Sequence, residues 1–347
     1  MDYIRYNKGE TMFITTYNVL GTGLDKYHPN RTNDRTDILM DKIMDLISMK
    51  GNILCLQEVS RDIYEKLELM FGDECKIIYA PYGNKQNNYM GVVIMYYKKD
   101  FRLLDLHIFK PSQLLEKTKK PKLSCWETLM FSLSEKNIDE NKLKVFDQIE
   151  VENKIARKWN DVILLKLIDD DDKQFWVSNV HIPCIFDYPR SQELFIELMM
   201  DKLLELIDDR PLYICGDFNI QPDGDVYKFM IDNYGLQDLT WQIESSNYCY
   251  TEKFGEFEGK LDYIFKCSNS DNTDEDSEDH SYDHDIVRLT IKYYKSKEPE
   301  HDEISDDIEY ELEYPVYSED SEEDQLEYYQ PNDIDPSDHG AIIVELV

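Results

Sequence analysis

The sequence predicts an α+β fold, a four-layer α/β sandwich in which two stacked mixed β-sheets are flanked by helices. Three observations carry that expectation. Short alternating or wholly apolar runs recur from Thr11 to Leu346 with few helices between them, which suits sheets packed face to face. Two longer stretches carry a one-sided apolar stripe at helical spacing, the mark of helices laid on a sheet's outer face. Polar residues also recur at strand ends: Asn18, Glu58, His181, Asp217, Asn219, Asp262, Asp338 and His339. If those ends meet, they form one pocket at one edge of the sandwich.

The elements follow in order. Thr11 to Tyr17 alternates, is rich in Thr, Ile and Phe, and reads as a strand ending at Asn18. Arg35 to Met49 reads as a helix with Leu39, Ile43, Leu46 and Ile47 on one face. Asn52 to Leu56 is a short apolar strand with Gln57 and Glu58 at its C-terminal end, and Met90 to Tyr97 is another. From Phe101 to Asn160 the pattern is weak, with a basic patch at Lys117, Lys119, Lys120 and Lys122. Val162 to Leu167 and Phe175 to Asn179 read as a hairpin through Asp169 to Lys173, the second strand running on to His181. Arg190 to Ile207 is the strongest helix, striped by Ile196, Met199, Met200, Leu203 and Ile207. Leu212 to Cys215 is a buried strand that runs into Gly216-Asp217-Phe218-Asn219, a turn closed by Pro222. Glycine permits the sharp bend there, and Asp217 and Asn219, two apart, face the same side. A helix over Val226 to Tyr234 and strands at Leu261 to Phe265 and Ala341 to Leu346 complete the set.

Residues 1–347 are expected to form a single catalytic domain, interrupted by an acidic, partly disordered excursion over 268–336. From Asp271 to Asp335 there are 25 acidic residues against 4 basic ones, a net of −21 out of −34 for the chain. Such tracts bury too little apolar surface to order themselves, although Ile286 to Tyr294 and Tyr310 to Tyr317 still read as strands. The excursion offers a surface for a basic protein partner. The overall charge argues against a nucleic-acid partner at face value, but screening over about 8 Å leaves a distant site largely unaware of it. No run of 18 apolar residues exists, so no membrane helix is expected. Met1 to Glu10 lacks an apolar signal core, which points to the cytoplasm, with the nucleus as alternative, and away from secretion. Seven scattered cysteines without Cys-x-x-Cys spacing argue against a disulfide framework and a zinc site.

Six motifs then occur in a telling order: Thr16-Tyr17-Asn18-Val19-Leu20, Leu54-Cys55-Leu56-Gln57-Glu58-Val59, Asn179-Val180-His181, Gly216-Asp217-Phe218-Asn219, Leu261-Asp262-Tyr263-Ile264-Phe265 and Ser337-Asp338-His339. In this the chain resembles the exonuclease–endonuclease–phosphatase superfamily, from about Thr11 to Val347 apart from the acidic excursion. It is most similar to the branch of the poly(A) deadenylases, nocturnin, the Angel proteins and the 2′-phosphodiesterase. Asn18 followed by Val-Leu, Pro222-Asp223-Gly224-Asp225-Val226-Tyr227, and Phe257-Glu258-Gly259-Lys260-Leu261-Asp262 point there.

The resemblance implies a Mg²⁺-dependent phosphodiesterase, with Mn²⁺ as the alternative ion, acting on single-stranded RNA or a nucleotide phosphate ester. Its leading form is a 3′-exoribonuclease of deadenylase type. The same machinery on another phosphate ester is the second reading: a 2′-phosphodiesterase, a cyclic-phosphate or nucleotide phosphatase, or a DNA endonuclease. A non-catalytic acidic interaction protein is the third. Glu58 would hold the metal through a carboxylate oxygen, with Asn18 supporting the metal or its water. Asp217 would position and deprotonate the attacking water, and Asn219 would donate to the developing oxyanion. His181 and His339 would contact phosphoryl oxygens. Asp262 and Asp338 would hold or orient the metal and His339. Phe257 matches the position that stacks on the terminal adenine, Pro183 would form the other wall of a base slot, and Asn160 matches an active-site asparagine near the substrate.

Overall fold

Alternating apolar side chains close the fold as two facing sheets, seen in a computed structural model that describes residues 12–22, 35–115, 151–156, 158, 160–185, 188–240, 260–267, 288–292, 311–314, 339 and 341–346. In chain order the elements are β1 (Met12–Asn18), α1 (Arg35–Ser48), β2 (Asn52–Val59), α2 (Arg61–Phe71), β3 (Cys75–Pro81), β4 (Gly91–Tyr97), β5 (Phe101–Phe109) and the one-turn α3 (Pro111–Leu114). After these come β6 (Val162–Asp169), β7 (Gln174–His181), α4 (Pro189–Leu206), β8 (Leu212–Asp217), α5 (Asp225–Tyr234), β9 (Gln237–Asp238), β10 (Asp262–Cys267), β11 (Arg288–Lys292), β12 (Glu311–Tyr314) and β13 (Ala341–Leu346).

The first sheet has the order β12-β11-β13-β1-β2-β4-β3 and the second β5-β6-β7-β8-β10-β9. Both are mixed. β1 and β2 run parallel in the first, β7 and β8 in the second, and the remaining pairs are antiparallel. Ile14, Ile53, Cys55 and Ile94 of one inner face pack on Ile163, Leu165, Val177 and Cys215 of the other. Outside, Leu39, Ile43, Leu46 and Ile47 of α1 and Ile63 and Leu67 of α2 cover the first sheet. Phe195, Ile196, Met199 and Leu203 of α4, with Val226 and Met230 of α5, cover the second. The expected four layers are therefore present.

Among the longer elements, three lie where the sequence pattern gave no clear signal. α2 buries Ile63, Leu67 and Phe71 at four-residue spacing, and β3 pairs with β4 along its whole length. β5 falls in the weak stretch after Phe101 because it is an edge strand. Its middle is exposed, and a bulge between Leu103 and Asp105 breaks its alternation. Both strands read within the acidic excursion exist, and they extend the first sheet beyond β13. The excursion's acidic tracts, for which disorder is expected, lie outside the described residues.

Candidate active site

The site follows from strand direction. Parallel strands end at the same edge of a sheet, so Asn18 of β1 stands opposite Gln57 of β2, next to Glu58. In the second sheet His181 of β7 stands opposite Asp217 of β8. Antiparallel β10 contributes its first residue instead, and Asp262 also stands opposite Asp217. One edge of the sandwich thus receives polar residues from five strands. Local backbone turns them inward: Glu58, at the bulge between Leu56 and Val59, has φ 56°, and Asn219 has φ 51°. Such left-handed conformations cost roughly 1–3 kcal/mol each and persist where surroundings impose them. Gly216, at φ 149°, allows β8 to approach β7, since a Cβ there would lie 2.0 Å from the Val180 carbonyl oxygen.

Asp217 is the hub. Its Oδ2 accepts from Asn18 Nδ2 at 3.0 Å, and its Oδ1 accepts from the Asn219 backbone N–H at 2.9 Å. His181 Nε2 lies 3.7 Å and His339 Nε2 4.0 Å from the same Oδ2. His181 Nε2 is also 3.9 Å from Glu58 Oε1. His339 Nδ1 donates to Asp262 Oδ2 at 2.7 Å. A carboxylate only accepts there, so it fixes the ring's orientation and leaves Nε2 facing Asp217. Burial, reinforced by the neighbouring Asp262 carboxylate, pushes the Asp217 pKa up to about 7. Burial pushes the His181 pKa down, with Glu58 opposing.

Seven of the expected residues therefore meet: Asn18, Glu58, His181, Asp217, Asn219, Asp262 and His339. Asn18, expected beside a metal, holds Asp217 with its N–H and accepts the Leu20 N–H at 3.0 Å. Asn219 donates through Nδ2 to the Ile182 carbonyl at 2.9 Å. Asn160, expected at the substrate, donates to the His181 carbonyl at 2.7 Å and so backs the histidine. Pro183 is buried, its carbonyl accepting from Gln192 Nε2 at 3.3 Å. Phe257 and Asp338 lie outside the described residues.

The sequence reading missed four supports. Arg35 is buried and donates to the Val19 and Leu20 carbonyls, bracing the turn after Asn18. Gln192 ties the Asn219 carbonyl to α4 at 2.9 Å. Gln57 and Asn179 bridge the two sheets directly beneath the site, Nε2 to Oδ1 at 2.8 Å. Tyr82 places its hydroxyl 2.5 Å from His181 Nδ1. A polar residue inside an apolar strand, as Gln57 and Asn179 are, was the available signal; Tyr82 sits in a loop and offered none.

Comparison with known proteins agrees with this geometry. The model of a family described as the endonuclease/exonuclease/phosphatase family matches residues 15–339. Among solved structures, the human nocturnin catalytic domain with bound sulfate aligns over 97% of this chain and 93% of that one, at TM-score 0.58 and 15% identity. An endonuclease/exonuclease/phosphatase from Bacteroides vulgatus aligns over 97% and 98%, at TM-score 0.57 and 15% identity. A TDP2 from D. rerio, complexed with a single-strand DNA product, aligns over 97% and 98% at TM-score 0.54 and 13% identity. In sequence, 2',5'-phosphodiesterase 12 of Rattus norvegicus and of Homo sapiens are each 24% identical over 248 residues, covering 64% of this chain. The chain spans only 37% of the length of those curated relatives.

Proposed function

The chain belongs to the endonuclease/exonuclease/phosphatase family, and from that premise we propose that it is a metal-dependent phosphodiesterase that degrades single-stranded RNA from the 3′ end. Members of this family are metal-dependent hydrolases. The observation that carries the reading is the meeting of Glu58, His181 and His339 around the Asp217 carboxylate.

The donor set fits a divalent cation. Glu58 and Asp217 offer oxygens within 4.8 Å of each other, as do Asp217 and Asp262, with His181 and His339 standing beside them. Burial, with the Asp262 carboxylate alongside, raises the Asp217 pKa to about 7, and a cation bound there stabilises the ionised form. Glu58 is the residue assigned to hold it, with Mg²⁺ the ion proposed because it needs few protein oxygens and keeps its waters. When bound, the ion neutralises charge on a phosphate oxygen.

The remaining work belongs to the side chains. Asn18 and the Asn219 backbone hold both oxygens of Asp217, leaving lone pairs to orient an attacking water and accept its proton. One N–H of the Asn219 amide is engaged with Ile182; the second is the donor for a phosphoryl oxygen. Asp262 keeps His339 Nε2 turned to the same phosphate, where the protonated ring stabilises charge. The base preference is assigned to Phe257 on the strength of its sequence context alone.

A second reading is favoured by the likeness to 2',5'-phosphodiesterase 12: the same centre acting on 2′–5′ linkages. Purified chain with Mg²⁺ is given 3′-labelled and 5′-labelled poly(A), mixed RNA, single-stranded DNA and 2′–5′ oligoadenylate. Mononucleotides released progressively from the 3′ end of RNA are expected. Preferential cleavage of 2′–5′ oligoadenylate selects the second reading, and internal cuts or DNA preference overturn the first. Glu58→Ala and Asp217→Ala are expected to lower turnover by about 10²-fold or more.

A further inference from the structure

The catalytic reading gives no task to Tyr82, whose ring stands edge-on to the His181 imidazole with centroids 5.8 Å apart. Its hydroxyl oxygen lies 2.5 Å from His181 Nδ1. A phenol is a stronger hydrogen-bond donor than a neutral imidazole N–H, so its proton is directed to the Nδ1 lone pair. The other side of the ring agrees. Nε2 faces two carboxylates, Asp217 Oδ2 at 3.7 Å and Glu58 Oε1 at 3.9 Å, and an N–H is favoured there over a lone pair.

We propose that Tyr82 is a positioning residue that donates to His181 Nδ1 and fixes the imidazole as the Nε2–H tautomer, so that His181 gives a hydrogen bond to a phosphoryl oxygen of the substrate. The inference rests on the phosphodiesterase reading for what His181 faces. The two histidines then differ at Nδ1. His339 donates from Nδ1 to Asp262, whereas His181 accepts at Nδ1 and donates at Nε2. Tyr82 also joins the two sheets, because it follows β3 of the first and His181 ends β7 of the second.

The test is nitrogen NMR of the full chain labelled with ¹⁵N-histidine, with His181→Gln assigning the His181 signal. Two-bond couplings to the ring protons report which nitrogen carries hydrogen. In the metal-free protein the expected signature is a protonated Nε2 and a bare Nδ1, unchanged on adding Mg²⁺. A protonated Nδ1 overturns the proposal and makes Nε2 a metal ligand instead. In Tyr82→Phe the single-tautomer signature should give way to an exchange-averaged one. Its kcat on single-stranded RNA should fall about 10- to 100-fold, with KM within about twofold and an unchanged melting temperature. Tyr79→Phe, which removes an exposed hydroxyl that donates to the Tyr89 carbonyl, should alter neither. A Tyr82→Phe protein with the wild-type signature and kcat overturns the proposal. If the tautomer signature holds but the wild-type chain hydrolyses no phosphodiester, the functional reading fails while the tyrosine's hold on the ring stands.

Discussion

Asp217 shows how much a single residue's surroundings decide. In water an aspartate ionises near 4; here burial and the adjacent Asp262 raise it to about 7 from 3.8. A folded pKa above the unfolded one means that the folded state holds the proton more tightly. The metal-free chain therefore gains stability from this group that is fully present below about pH 4 and is lost as pH rises through about 7. Urea unfolding of wild type and Asp217→Asn across that window checks the sign. The stability of wild type relative to the variant should fall as pH rises, and a relative gain would contradict the burial of Asp217 beside Asp262. The residue itself was legible in the sequence, because Gly216-Asp217-Phe218-Asn219 follows a buried strand. Its elevated pKa was not, because burial comes only with the assembled fold and Asp262 reaches it from a strand far along the chain.

At the scale of elements, the site depends on two sheets keeping their offset, and Gln57 and Asn179 set it. Gln57 Nε2 contacts Thr16 Oγ1, the Cys55 carbonyl and Asn179 Oδ1, while Asn179 Nδ2 contacts the Leu56 and Val93 carbonyls at 2.9 and 2.7 Å. All of this is buried, where unsatisfied polar groups are costly. Asn179→Leu takes a buried donor from the Leu56 and Val93 carbonyls and one of three acceptors from Gln57 Nε2, and is expected to cost roughly 2–4 kcal/mol in chemical denaturation. A loss under about 0.5 kcal/mol would mean that apolar packing alone sets the sheet offset. The alternation of strands and the stripes of α1 and α4 made the main elements readable in advance. α2, β3 and β5 were harder, each for a local reason. The clearest case is β5, whose edge position leaves Leu104, Leu106 and Ile108 exposed, so burial imposes no strict alternation on it.

For the whole molecule, the two described strands of the acidic excursion and the candidate pocket occupy different places. The acidic excursion carries −21 of the chain's −34, and its two strands join the first sheet beyond β13, at the end of the order β12-β11-β13-β1. The candidate pocket lies where β1 and β2 meet β7, β8 and β10. No helix among the described residues is long and apolar enough to cross a membrane. The central claim is that five strand ends form one divalent-cation centre for phosphodiester hydrolysis. It is tested most directly by single-turnover cleavage of a labelled single-stranded oligoribonucleotide, run with chelator, with Mg²⁺ and with Mn²⁺. Cleavage should vanish in chelator and return with either ion in the wild-type chain but not in Glu58→Ala; cleavage that persists in chelator, or that Glu58→Ala retains in full, would contradict it.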